Sequence, residues 1–225
     1  MEFMAVRLFQ AVSSAMMNSS RHSGGDSILK KIRLPILFIL MLLVSACSGP
    51  GGFKADHKYE VPPFEYTNQN GEKVSLDDLK GHVWLAQFVF TNCTSVCPPM
   101  MMNMAKIEED LEKAGVEDYK IVSFSVDPKV DTPEKLQEYL ELFNVKDESR
   151  WEMLTGYTME EIAALAMKSF KTVVADIPDD DQVLHGTTFA LVNQEGQVVK
   201  LYSGVEEVPF DQIEKDVEAL IKEGA

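Results

Sequence analysis

The sequence predicts an α/β fold, a central mixed sheet flanked by helices with an N-terminal β-hairpin. Three observations carry that reading. The apolar runs HVWLAQFVF and YKIVSFSVDP have the length and composition of strands buried on both faces. Segments of helical period separate and follow them. Late in the chain, TTFALVNQEGQVVKLYSG turns at NQEG as an antiparallel hairpin.

The elements follow in order. FEYTNQNGEKVSLDDL gives two short extended pieces around NQNG, the N-terminal hairpin. After the first buried strand, CPPMMMNMAKIEEDLEKAG reads as a helix. Pro98 and Pro99 fit a first turn that needs no N–H, and Gly115 fits the helix end. After the second strand, DTPEKLQEYLELFN is a helix with Asp131 or Thr132 as its cap and Leu136, Tyr139, Leu140 and Phe143 on one stripe. WEMLTG is a third strand. TMEEIAALAMKSF opens with the capping-box pair Thr158 and Glu161. ADIPDDDQ reads as an acidic loop, and PFDQIEKDVEALIKEG closes the chain as a helix with Ile213, Val217, Leu220 and Ile221 inward. This order predicts a thioredoxin-like sheet. It places Cys93 and Cys97 at the C-terminal end of the first central strand, the edge where active groups of open α/β sheets collect.

The folded domain is expected over residues 61–225. Ahead of it, Lys30, Lys31 and Arg33 precede the mostly apolar run from Leu34 to Ala46. A basic region, a short apolar region and a small-residue exit describe an export signal, too short for a comfortable transmembrane helix. VSAC followed by SGPGG resembles a bacterial lipobox, which implies that Cys47 carries lipid and becomes the new N-terminus. Residues 29–46 are then a lipoprotein signal peptide and 47–60 a flexible tether; an uncleaved anchor is the alternative. Either places the domain at the cell membrane on its extracytoplasmic side, where disulfides persist. Residues 1–28 fit no leader, and Leu29 reads as an alternative start. The formal net charge is −15. Residues 47–225 hold 16 of the 21 Lys and Arg and 34 of the 36 Asp and Glu, so this part carries 16 − 34 = −18. Such a chain does not bind nucleic acid by neutralising phosphates.

FVFTNCTSVCPPM sets Cys93 and Cys97 four residues apart between an apolar run and two prolines. In an early helical turn both sulfurs share a face, with Cα atoms roughly 6 Å apart and within disulfide reach. A helix N-terminus there should lower at least the Cys97 thiol pKa. A structural staple, a redox pair and a soft-metal clamp all remain open. A staple closing so short a loop stabilises little. His185, in DQVLHGTTFALV, precedes a strand expected beside the first central one. Two thiolates and an imidazole suit copper, sulfur favouring Cu(I) and nitrogen helping to hold Cu(II). Asp127 ends the second strand at the same edge, where it can orient His185 or lie near the metal as a weak or outer ligand. His57 and His82 read as tether and surface residues. Met100, Met101, Met102 and Met104 point different ways around a helix, which fits core filling or a pliable rim. The DIPDDD loop is a solvated surface or a docking patch for a basic redox partner.

The chain resembles the Sco/SenC family of copper-binding, thioredoxin-like proteins from about Phe64 to the C-terminus. FTNCTSVCP fits the family's C-x-x-x-C-P segment, SVDPKVDTPEKL its D-P-x-x-D-T-P segment with Asp127, and WEMLTG a third; LHG sets His185 where the family carries its metal-binding histidine. The resemblance implies a copper metallochaperone. Its cofactor would be copper, as Cu(I) or Cu(II), held by Cys93, Cys97 and His185. Its partner would be cytochrome c oxidase subunit II, whose dinuclear copper site it helps to assemble, with a thiol–disulfide reductase as a further partner. Two features depart from the family: Leu184-His185-Gly186 stands where D-H-S is common, and the preceding loop is acidic rather than tyrosine-rich.

Other functions compete. A thiol–disulfide oxidoreductase could keep the oxidase cysteines reduced without carrying copper, but that class has C-x-x-C and a proline facing the pair, and HGTTF has none. A peroxiredoxin-like peroxidase would use Thr94-x-x-Cys97, but expects proline where Phe90 stands and an arginine near the thiolate. Nothing positive supports a lipid-anchored module binding an unrelated ligand.

Overall fold

The structure is a computed structural model and describes residues 52–224. Its centre is β4 (Val83–Val89), in which every residue is buried. It runs parallel to β5 (Tyr119–Ser125), from Val83 opposite Tyr119 to Val89 opposite Ser125, and β5 runs parallel to β6 (Trp151–Leu154). On its other edge β4 pairs antiparallel with β9 (Thr188–Val192), followed by β10 (Gln197–Ser203) and β1 (Tyr59–Glu60). The six-stranded order is β1-β10-β9-β4-β5-β6. The fold is thioredoxin-like, as the element order predicts. Sandwiched strands explain the unbroken apolar runs, since neither face of β4 or β5 meets water. Burying each large side chain there, such as Trp84 or Phe124, contributes about 1.5–3 kcal/mol.

Two helices cross over between the parallel strands. α2 (Cys97–Lys113) joins β4 to β5 and packs against α5 (Phe210–Gly224). α3 (Pro133–Glu141) joins β5 to β6. α4 (Met159–Leu165) opens with the expected box, Thr158 accepting from Glu161 N–H while the Glu161 carboxylate takes the Thr158 N–H.

The expected N-terminal hairpin forms, β2 (Glu65–Thr67) with β3 (Lys73–Ser75), as a separate two-stranded sheet. Three segments depart from expectation. The residues after the hairpin, LDDL, are not extended: Leu76–Leu79 is a short helix, α1, because Ser75 and Asp78 form a capping box. The end of the expected tether is ordered against the sheet, with Tyr59 opposite Val198 and both Asp56 and His57 N–H donating to Val199 O. The acidic segment is the tip of a hairpin, β7 (Val174–Asp176) with β8 (Val183–His185). Strands of three residues fall below what alternation can reveal.

Cys47 and the expected segments 1–28 and 29–46 lie outside the described residues. Among the described residues, no helix is long and apolar enough to cross a membrane.

Candidate metal centre

β4 delivers its C-terminal end to a turn, in which Cys93 N–H donates to Phe90 O at 3.3 Å. Cys93 lies before α2, and Cys97 is the helix's first residue, followed by the two prolines. The N-cap residue, Val96, offers no side-chain cap. The free first-turn N–H of Cys97 donates instead to Cys93 Sγ at 3.3 Å. A sulfur thus occupies the capping role that an oxygen normally fills.

This arrangement reverses the expected order of the thiols. Cys93, not Cys97, is the low one, held at about 3. The neighbouring Cys97 side chain is the largest cause; burial opposes it, and the Ser95 and Cys97 backbone N–H groups also lower it. Cys97 is driven far above the ordinary thiol range by its neighbour Cys93 and by burial. One first-turn N–H of the helix, that of Cys97, thus reaches the residue before the helix. Cys93 should react with iodoacetamide at a rate nearly independent of pH between 5 and 8, because its thiolate is lost only as pH falls towards about 3. Peptide mapping after brief labelling checks this. Labelling first at Cys97, or a rate rising about ten-fold per pH unit as for an ordinary thiol near 8.5, would contradict it.

His185, the last residue of β8, is buried and lies against Cys97, Nε2 to Sγ 3.1 Å. Its Nδ1 lies 2.9 Å from Gly186 O. A carbonyl can only accept, so Nδ1 carries the proton, and a neutral ring turns its Nε2 lone pair towards Cys97. The Phe90 ring meets the imidazole edge-on at 5.8 Å. A Cβ on Gly186 would lie 1.8 Å from Thr172 Oγ1, so a serine at this position needs the Thr172 side chain to move.

The donor atoms of Cys93, Cys97 and His185 all lie within 4.8 Å of one another. Both cysteines are free thiols. The set fits copper chemically: two soft sulfurs, one borderline nitrogen, and a tautomer fixed by a backbone carbonyl. It fits reversible disulfide formation equally well.

The carboxylate of Asp127 is not part of this group. The residue is half-buried after β5; its N–H donates to Ser125 Oγ, and its carbonyl accepts from Val130 and Asp131 N–H. Burial, then the charges of Asp131 and Asp176, raise its pKa. His57 stacks on Tyr59 and His82 bonds Asp118 at the surface, so neither reaches the centre. Met100, Met101 and Met104 are buried in the core, whereas Met102 is 64% exposed. The thioethers do not converge.

Sequence reasoning missed two contributors beside the centre. Asp131 is buried and accepts from Thr91 and Ser125, while the helix cap is Thr132, which accepts from Lys135 N–H. Tyr139 lies on the predicted apolar stripe, yet its buried hydroxyl has no hydrogen-bond partner among the described residues, and burial raises its pKa. Asp131 was legible only as a candidate cap, and Tyr139, within α3, only as part of an apolar stripe.

The fold and site together define a thioredoxin-like protein whose dithiol is backed by an imidazole, a donor set that a plain C-x-x-C oxidoreductase lacks. The chain belongs to the SCO1/SenC family, whose profile matches residues 54–222. It is 42% identical over 181 residues to the SCO1 protein homolog of Bacillus subtilis, covering 80% of this chain and 92% of that protein. It is similar to the solved structure of BsSco, described as a member of the Sco family of cytochrome c oxidase assembly proteins with a disulfide switch. The TM-score is 0.70 and the identity 43%, with 76% of this chain and 98% of that one covered. Arabidopsis thaliana ScoI, solved with copper bound, is 26% identical with a TM-score of 0.59, covering 72% of this chain and 96% of that one.

Proposed function

We propose that this protein is a membrane-anchored copper metallochaperone that assists assembly of the dinuclear copper site of cytochrome c oxidase subunit II. One observation carries the reading: Cys93 Sγ, Cys97 Sγ and His185 Nε2 converge within 4.8 Å, with the imidazole proton already committed to Gly186 O. Copper is the cargo. Cys93 enters as a thiolate, Cys97 releases its proton on binding, and His185 presents Nε2 while its Nδ1 faces Gly186 O. The copper-bound Arabidopsis relative and the oxidase-assembly description of BsSco support the ligand and the pathway. The lipobox-like VSAC supports attachment through Cys47 on the extracytoplasmic side.

The low Cys93 pKa favours a second reading, a thiol–disulfide oxidoreductase that keeps the oxidase cysteines reduced. The Cys93 thiolate would attack a partner disulfide, and Cys97 would then resolve the mixed disulfide, so the pair loses two electrons and the partner gains them. Deleting the gene separates the two roles. Under the chaperone reading, cytochrome c oxidase activity falls, added copper restores part of it, and a quinol oxidase lacking the dinuclear copper site is unchanged. Rescue by an added thiol reductant but not by copper would instead favour the reductant.

A further inference from the structure

We propose that Asp131 is the positioning residue of the dithiol: its buried carboxylate locks the turn carrying Cys93 to the ends of neighbouring strands. It thereby sets how readily Cys93 and Cys97 bridge or clamp a soft ligand. This rests on the reading of the two cysteines as working thiols.

The contacts are specific. Asp131 is 2% exposed. Its Oδ1 accepts from Thr91 Oγ1 at 2.6 Å, and both oxygens take the Thr91 N–H at 3.3 Å. Its Oδ2 accepts from Ser125 Oγ at 2.6 Å. Thr91 lies just beyond β4, two residues before Cys93, and Ser125 is the last residue of β5. The Asp131 carbonyl also accepts from Thr155 Oγ1 at 2.8 Å, just beyond β6. One residue therefore ties together the C-terminal ends of all three parallel strands.

The cost of this device argues for a role. A buried carboxylate is unfavourable unless its hydrogen bonds are made. Among the described residues, no lysine or arginine makes an ion pair with Asp131; hydroxyls and one amide satisfy it. Helix capping does not require it, because Thr132 caps α3. A packed apolar residue would serve stability as well. What only the carboxylate supplies is a fixed hold on the Thr91 turn.

The test uses the metal-free full chain in detergent, equilibrated with dithiothreitol. In that equilibrium Cys93 and Cys97 give two electrons and two protons to oxidised dithiothreitol, forming their S–S bond while the reagent's own disulfide is reduced. Asp131→Asn and Thr91→Val should each make the protein disulfide at least about three-fold easier to reduce, as expected from losing a charge-assisted bond. The double variant should be no worse than the stronger single, because both changes break one contact. Urea unfolding checks that each variant is folded; if Asp131→Asn does not fold, Thr91→Val carries the test. Equilibrium constants within about two-fold of wild type, or additive effects in the double variant, would overturn the proposal. The measurement contains no copper. A shifted equilibrium in a protein that binds no copper would therefore sink the chaperone reading and leave this one standing.

Discussion

Replacing Cys93 or Cys97 with alanine is expected to abolish tight copper binding. Each change removes one of only two sulfur donors from a group whose atoms lie within 4.8 Å. Losing outer support of a metal ligand typically costs 10–100-fold, so losing a thiolate should exceed about 100-fold in affinity. The two variants should differ in character. Cys93→Ala removes the acceptor of the Cys97 N–H, leaving the start of α2 uncapped, and should also lower stability by about 1 kcal/mol. Cys97→Ala keeps Cys93 as that acceptor but removes the side chain that lowers its pKa most, so the Cys93 pKa should rise from about 3. Titration with a competing chelator reads the affinity. Retention of copper within about ten-fold of wild type in either variant would exclude a two-thiolate site.

His185→Ala is expected to weaken Cu(II) binding by more than about 100-fold while changing Cu(I) binding far less. The reason is donor softness. Two thiolates satisfy Cu(I), whereas Cu(II) gains from the nitrogen. The Nδ1–H to Gly186 O bond positions that nitrogen before metal arrives, so little ordering remains to be done on binding. Visible spectra and chelator competition in both oxidation states report the difference. Equal losses for both ions would mean that His185 supports the fold of the site instead of donating.

The sequence revealed most of the frame because the strands are long and buried. HVWLAQFVF could not be anything exposed, and β4 proves buried throughout. The site was legible through spacing: two cysteines at a strand end and a histidine before another strand converge as expected. What stayed hidden depends on single residues of placement. Where α2 starts decides which sulfur accepts the Cys97 N–H, and helix starts are not readable to one residue. Asp131 and Thr132 are both good caps, so only the contact with Thr91, forty residues away, shows that Asp131 faces inward. The His185 hairpin escaped because its strands are three residues each and its tip is acidic. The Gly186 contact with Thr172 is tertiary and leaves no trace in local pattern.

The most direct test is a copper titration of the protein with its visible spectrum recorded, the dithiol form beside the disulfide form. The account predicts one copper per dithiol chain and intense Cu(II)–thiolate absorption. It predicts far weaker binding once Cys93 and Cys97 are bridged, because the bridge removes both thiolates. Equal binding by the two forms, or a dithiol protein that retains no copper, would contradict it.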